Sequence, residues 1–439
     1  MTVGMISLGC AKNKVDAEIM MGLLQDAGHH LVADPAQAEA LIVNTCGFIE
    51  PAKRESIDAI LDMAEYKEIG MCRALIVAGC LSGRYRRELQ EEMPEVDAFL
   101  SVGDVGRIVE AVEAAAAAKT FAPGTDVPSY VEGARRVLTS PPGSAYVKIA
   151  DGCDNRCAYC AIPGIRGGFA GRPMRAIIDE CEALWASGTQ EINLIAQDVT
   201  RWGVEDGKTL AELVNALAGV SGGKWLRVLY AYPSRVDDAL LDALAQGNGV
   251  CAYLDIPIQH TQDGMLQAMH RKGDAADIKR VMAAARQRGI VLRTTVIVGF
   301  PGETGADFAA MCDFLGEHPF DRLGAFAYSP EEGTPAFALG DPVPEEEKAR
   351  RRDAIMALQQ QRSLALNQLR VGREADVLIE GQKRRHFIGR SQLEAPETDG
   401  KIRIPIDAGI DAAPGDLVRV RLEQAGPYDM VAAVKENKQ

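Results

Sequence analysis

Six short apolar runs between residues 145 and 328 alternate with amphipathic segments, and this pattern constrains the fold more than any other feature of the chain. AYVKIA, EINLIAQD, WLRVLYAYP, AYLDIPIQ, LRTTVIVGF and RLGAFAYS read as buried strands. Between most of them, AIIDECEALWASG, LAELVNALAG, DDALLDALAQG, DIKRVMAAARQRG and DFAAMCDFLGEH have helical periodicity. Six strand-helix units in one domain imply an incomplete (β/α)6 barrel of the TIM-like kind, with its chemistry at the C-terminal ends of the strands.

Directly after the first of these strands stands DGCDNRCAYCAIPGIRG, residues 151–167, with Cys153, Cys157 and Cys160 in a C-x-x-x-C-x-x-C spacing. A structural zinc site closes with four ligands, and nothing near the triplet supplies the rest. Cys181 falls in a helix expected to pack on the far side of its strand. The alternative is a [4Fe-4S] cluster on three cysteines, which leaves one iron open to a cofactor.

The first hundred residues have the pattern of an open parallel sheet flanked by helices. VGMISLGC, ALIVNTCGF and ALIVAGCL read as strands, and each ends in a cysteine: Cys10, Cys46 and Cys80. Ligands of open parallel sheets bind beyond the carboxyl ends of the strands. One such cysteine reads as a small buried hydrophobe; three at equivalent strand ends, beside glycines, point to a metal site. An alanine-rich helix end then gives way to a proline- and glycine-bearing linker, TFAPGTDVPSYVEGARRVLTSPPGS. After the barrel, a charged helix leads to EADVLIEG, HFIGRS, GKIRIPI, DLVRVRLEQA and YDMVAAV, which suggest a small antiparallel β-barrel. The expected architecture is therefore α/β: an N-terminal domain over 1–118, a linker over 119–140, a barrel domain over 141–371 and a small barrel over 372–439.

Composition narrows the partners. No uninterrupted apolar run is long enough to span a bilayer, and MTVGMISLGC lacks the features of an export signal, so a cytoplasmic location and reduced thiols are expected. The 48 basic and 62 acidic residues give a net charge of -14, unlike a dedicated nucleic-acid binder. Residues 371–439 hold eleven basic and twelve acidic side chains, a balance poor for phosphate-driven binding. A basic partner protein fits better.

The triplet, with Tyr159 just before its last cysteine and a partial barrel around it, resembles the radical S-adenosylmethionine superfamily. Across the whole chain, SLGCAKNKVDAE, NTCGFI, AGCL, GCDNRCAYCAIPGIRG and the terminal barrel are similar to the methylthiotransferases, whose terminal barrel is a TRAM domain. SLGCAKNKVDAE, YSPEEGTPA and GRSQLEAPETDG resemble the branch that modifies an aspartate in the twelfth protein of the small ribosomal subunit. Two departures are visible: Ala11 where that branch typically has proline, and Glu394 where it often has aspartate.

The resemblance implies two [4Fe-4S] clusters, one on Cys153, Cys157 and Cys160 that chelates S-adenosylmethionine, the other on Cys10, Cys46 and Cys80. It implies a 5'-deoxyadenosyl radical that takes hydrogen from the aspartate β-carbon, a basic ribosomal protein as partner, free or within the ribosome, and separate sulfur and electron donors. An adenosine of tRNA is the runner-up substrate, and a metal-stapled protein that only binds RNA or a partner is the non-enzymatic rival. Besides Tyr159, the strand-end residues Gln197, Asp198 and Gly299, with Glu303, are candidate cofactor contacts, and polar caps or turns explain them equally well. His260 and Arg271 fit local hydrogen bonding; Cys72, Cys181, Cys251 and Cys312 fit packing. No side chain stands out as a catalytic acid or base.

Overall fold

A computed structural model describes residues 1–122, 124, 130–406 and 411–434, which form two compact units. The first comprises Met1–Thr139, Lys148–Ala176 and Ser329–Ala338; the second comprises Ser140–Val147, Ile177–Tyr328 and Leu339–Gln439.

The first unit is built on a parallel sheet of β1 (Thr2–Ser7), β2 (His30–Val32), β3 (Ala40–Thr45), β4 (Ala74–Gly79) and β5 (Ala98–Leu100), in the order β2-β1-β3-β4-β5. Strands β3 and β4, ALIVNT and ALIVAG, are buried at every position, as strands of a sheet covered on both faces are, and the polar Asn44 and Thr45 that end β3 are buried with hydrogen bonds to the Asn13 and Ala78 carbonyls. The intervening helices are α1 (Ala11–Asp26), α2 (Glu50–Ala64), the short α3 (Tyr66–Ile69), α4 (Cys80–Glu92) and α5 (Ile108–Ala116). Cys80, expected as the last residue of a strand, is instead the first residue of α4, because Gly79 turns the chain at φ +96°.

The expected linker is irregular where it is described, and it is strapped down rather than free. Buried Glu18 of α1 pairs with Arg136 and accepts from the Thr139 amide at 2.9 Å, and Glu132 pairs with Arg172. Residues 123 and 125–129 of that stretch lie outside the described residues. Strand β6 (Ser144–Lys148) follows, and the single run AYVKIA is broken after it. Ala150–Asp151 form β7, which pairs antiparallel with β8 (Ala170–Gly171) across the cysteine loop and α6 (Ile162–Arg166).

In the second unit, β6, β9 (Glu191–Ile195) and β10 (Trp225–Val228) form one parallel piece. β11 (Tyr253–Asp255), β12 (Val291–Val298) and β13 (Arg322–Ala327) form another. The Leu226–Val250 bridge joins the two pieces into a six-stranded partial barrel. Its helices are α7 (Met174–Ala186), α8 (Leu210–Val220), α9 (Asp238–Ala245), α10 (Asp263–Ala268), α11 (Ala275–Gln287) and α12 (Gly305–Glu317). Capping boxes Thr209/Glu212 and Thr304/Asp307 start α8 and α12 by satisfying amides that no helical turn can reach. The long α13 (Glu345–Gln368) leads to a closed antiparallel barrel of β14 (Glu374–Lys383), β15 (His386–Arg390), β16 (Ile402–Pro405), β17 (Leu417–Ala425) and β18 (Met430–Val434), with one parallel pairing, β16 with β18. Within this unit, fully buried Glu191 of β9 pairs with both Arg227 of β10 and Arg390 of β15, tying the partial barrel to the small one. Among the described residues no helix is long and apolar enough to cross a membrane.

Candidate active site

The order of the first sheet reverses between β1 and β3, and such a switch point opens a crevice at the strand ends. Cys10 follows β1, Cys46 follows β3 and Cys80 follows β4. Gly9, at φ +92°, lets the first loop close on the second: a Cβ there would stand 2.9 Å from the Cys46 Cβ and 3.2 Å from its sulfur. Side chains lock the loops in register. Asn13 donates to the Leu8 and Thr45 carbonyls at 2.7 and 3.2 Å, Asn44 donates to the Asn13 carbonyl at 2.8 Å, and the Ser56 hydroxyl accepts the Cys46 amide at 2.9 Å.

Electrostatics show that these three thiols share one environment. Burial pushes the Cys80 thiol up to about 12, with Cys10 and Cys46 adding to the rise and Arg166 opposing it. Cys46 is raised as well, by burial first and in part by Cys10. Gathering three thiolates here therefore requires a positive centre, and metal binding must release protons.

The second triplet sits in a loop closed at its base by the β7–β8 pair. Gly152 lies at φ +72°, where a Cβ would fall 2.0 Å from the Gly168 carbonyl oxygen. The Cys153 amide donates to the Gly167 carbonyl at 3.1 Å, and the Cys160 amide to the Cys157 carbonyl at 3.0 Å. Cys157 is buried; Cys153, Tyr159 and Cys160 are half-buried. All ten cysteines are free thiols. Among the described residues no three His, Cys, Asp or Glu side chains already stand in a metal-holding arrangement. A donor set of thiols alone, converging beside a buried guanidinium, fits an anionic thiolate-bound iron-sulfur cluster.

A buried ionic network joins the two triplets. Arg166, at the end of α6, donates to Asp151 and to Asp16 at 2.9 Å each and approaches the Cys80 sulfur at 3.5 Å. Lys148 bonds both the same carboxylates, Asp16 at 2.5 Å and Asp151 at 2.8 Å. Burial alone would raise Asp151 and lower Lys148, but opposite charges win in both. Arg166 and Lys148 hold the Asp151 carboxyl well below the usual range, and Asp151 and Asp16 hold the Lys148 ammonium above its own. Two carboxylates and two cations make the network neutral. Cys80 also packs in one apolar cluster with Val102, Ala161 and Ile165, so the loop that carries the second triplet rests on a cysteine of the first.

A second buried carboxylate organises the same unit. Glu331 pairs with Arg84 of α4 at 3.0 Å and with Lys53 of α2 at 3.3 Å, and accepts the Glu50 amide at 3.1 Å. Nearby, the Ala336 amide donates to the Ala158 carbonyl at 2.8 Å. Beside them opens a cavity of about 520 Å³ lined by Cys157, Cys160, Arg84, Tyr85 and Arg156 among others.

Of the remaining candidates, Tyr159 belongs to the first unit and Gln197, Asp198 and Gly299 to the second. Asp198 accepts from the Thr200 amide and hydroxyl and pairs with Arg235. Gln197 is half-buried beside it. Gly299 turns at φ +74° against the Lys348 stem, and its amide donates to Glu303. His260 accepts the Gln262 amide at 3.1 Å, and Arg271 donates to the Pro257 carbonyl at 2.6 Å. Cys72, Cys181 and Cys251 are buried, and Cys312 is half-buried. Of the two departures, Ala11 is buried at the start of α1, and Glu394 is buried between Arg322 and Arg370. Sequence inspection missed Asp16, Lys148, Asp151, Arg166 and Glu331; the available signal was charge inside stretches that otherwise bury.

Comparison with known proteins agrees with this layout. Residues 147–315 match the Radical SAM superfamily, residues 2–101 match the Uncharacterized protein family UPF0004, and residues 371–434 match the TRAM domain. Solved structures share the fold at low identity. The radical S-adenosylmethionine methyltransferase TsrM from Kitasatospora setae aligns with a TM-score of 0.56 at 15% identity, covering 74% of this chain and 72% of that one. The cobalamin-dependent S-adenosylmethionine radical enzyme OxsB aligns at 0.51 and 12%, covering 80% and 56%. Curated relatives are far more similar. "Ribosomal protein uS12 methylthiotransferase RimO" of Pelotomaculum thermopropionicum is 46% identical over 438 residues, 98% of each chain. The RimO of Geobacter sulfurreducens is 43% identical over 441 residues, again 98% of each. With that similarity running from end to end, the non-enzymatic alternative falls away, and the chain belongs to the RimO family of radical S-adenosylmethionine methylthiotransferases.

Proposed function

We propose that this chain methylthiolates the β-carbon of an aspartate in ribosomal protein uS12, with one [4Fe-4S] cluster on Cys153, Cys157 and Cys160 and a second on Cys10, Cys46 and Cys80. The observation that carries the reading is the joining of the two triplets inside one compact unit, by the Arg166 network and by the packing of Cys80 on Ala161 and Ile165. The triplet's cluster, when bound, supplies the electron that opens the sulfonium bond of S-adenosylmethionine, chemistry that no side-chain acid or base can replace at an unactivated C–H bond. The chain's own residues hold the two thiol sets together, bury Cys157 and Cys80 from water and keep Arg166 against the Cys80 sulfur. An external electron donor and a sulfur source complete the reaction, and the partner is uS12, free or within the ribosome.

Single-cysteine variants test the division of labour. C157A should abolish cofactor cleavage, whereas C46A should retain some cleavage and lose sulfur insertion; full product from either variant contradicts the assignment. A second reading, an adenosine of tRNA as substrate, is favoured by one observation. Overall neutrality of the small barrel conceals a groove of about 550 Å³ lined by Lys383, Arg384, His386, Lys401 and Arg403, with Asp429 as its acid. A basic face of that kind suits phosphate.

A further inference from the structure

We propose that Arg156 binds the side-chain carboxylate of the substrate aspartate and so selects aspartate over its amide. This inference rests on the uS12-aspartate reading above. The cavity of about 520 Å³ lies entirely in the first unit and has the size of a ligand pocket, and Cys157 and Cys160 stand in its wall. Two guanidinium groups line it. That of Arg84 is occupied, with hydrogen bonds to the Gly47 carbonyl at 2.9 Å, the Glu331 carboxylate at 3.0 Å and the Glu332 carbonyl at 2.6 Å. The Arg156 side chain is exposed and makes no hydrogen bond or ion pair with any described residue.

Its backbone adds a second indication. Arg156 lies at φ +52°, a left-handed conformation that a side chain of this size seldom adopts and that glycine or asparagine would take at less cost. The loop thus holds a long cationic side chain in an unfavourable backbone state, between Cys153 and Cys157, without any internal partner to account for it. Strain of this sort collects where a ligand is handled. The fork of a guanidinium matches a carboxylate with two parallel hydrogen bonds. A carboxamide offers only one acceptor and sets its NH2 donors against the guanidinium's own, so the amide is rejected. Anchoring the carboxylate also fixes the adjacent β-carbon, the atom that reacts. The acidic side chains Glu88 and Glu332 on the same rim suit the basic residues of a ribosomal protein on either side of that aspartate.

The test is peptide binding to anaerobically reconstituted full-length protein, read by fluorescence anisotropy. The probes are a labelled synthetic peptide spanning the uS12 aspartate that gains mass with the wild-type enzyme, and its Asp→Asn counterpart. Wild type should bind the aspartate peptide about 10-fold or more tighter than the asparagine peptide, the discrimination expected of a charge-assisted pair. R156Q should bring the ratio near one by weakening the aspartate peptide alone, and R156K should fall between. Iron content is measured for each variant, and the ratio is taken from whichever variant keeps its iron. An aspartate preference that survives in R156Q, one of full wild-type size in R156K, or none in wild type overturns the assignment. A wild type that modifies no uS12 aspartate overturns the functional reading instead, so the two failures are separable.

Discussion

Replacing Arg166 with glutamine tests the network that joins the two cysteine sets. The side chain is fully buried and makes charged contacts with both Asp16 and Asp151 at 2.9 Å. Without it, Lys148 alone faces two buried carboxylates, and a neutral cluster becomes a net negative one. Removing one partner of a buried ion pair costs about 3–5 kcal/mol, because the remaining charge is left uncompensated. The contact with Cys80 adds to this in the loaded protein. With a urea m-value of about 2–3 kcal/mol/M, the unfolding midpoint of this unit should fall by roughly 1–2.5 M. The assay is circular dichroism during urea unfolding of cluster-free protein under anaerobic conditions. The double variant D16N/R166Q restores neutrality, leaving Lys148 against Asp151, and should recover at least half of the loss. A midpoint for R166Q within about 0.3 M of wild type, or a double variant no more stable than the single, would refute the account of the network.

Three further outcomes are expected. G152A places a methyl group 2.0 Å from the Gly168 carbonyl at φ +72°, so the loop of Cys153, Cys157 and Cys160 cannot close; reconstituted iron should drop to about half of wild type, and a full iron count contradicts this. Glu191 is lowered to about 2 against burial by Arg390 and Arg227, and Glu394 to about 2 against burial by Arg370 and Arg322. Folded values below the unfolded one near 4.5 mean that this stability is complete above pH 4.5 and lost as pH falls towards 2. It is worth roughly 3 kcal/mol per group, so E191Q should flatten the acid limb of the unfolding midpoint plotted against pH. Cys80 has the opposite sign: a folded value near 12 against an ordinary 9 makes cluster-free protein lose stability as pH rises from 9 towards 12, and C80A should remove that slope.

The strands that carry the cysteines were legible because ALIV in β3 and ALIVAG in β4 are apolar runs with glycine and cysteine close after them. The short edge strands β2 and β5 were not, since three residues cannot display a period. AYVKIA read as one strand because its composition continues past Lys148; only the pairing of Ala150–Asp151 with residues 20 positions on breaks it. WLRVLYAYP stops as a strand at Val228, and Tyr230 turns at φ +67°, which no local signal announces. The cysteines themselves were visible from spacing and strand-end position. The charges that link them were not: Asp16 and Arg166 stand 150 residues apart, Arg166 has no acidic residue near it in the sequence, and the neighbours Lys12 and Lys14 of Asp16 suggest local pairing on a helix rather than a distant buried partner. Charge balance over 371–439 likewise averaged away the basic groove of the small barrel, because Lys383, Arg384, Lys401 and Arg403 meet only once β14, β15 and β16 are side by side.

The most direct measurement is mass spectrometry of products from reconstituted protein given S-adenosylmethionine, sulfide and reductant, with a uS12 loop peptide and tRNA supplied together. A methylthio mass gain on an aspartate of the peptide, with tRNA unchanged, is the predicted result. A gain on tRNA with the peptide unchanged would contradict the substrate and leave the two-cluster chemistry standing.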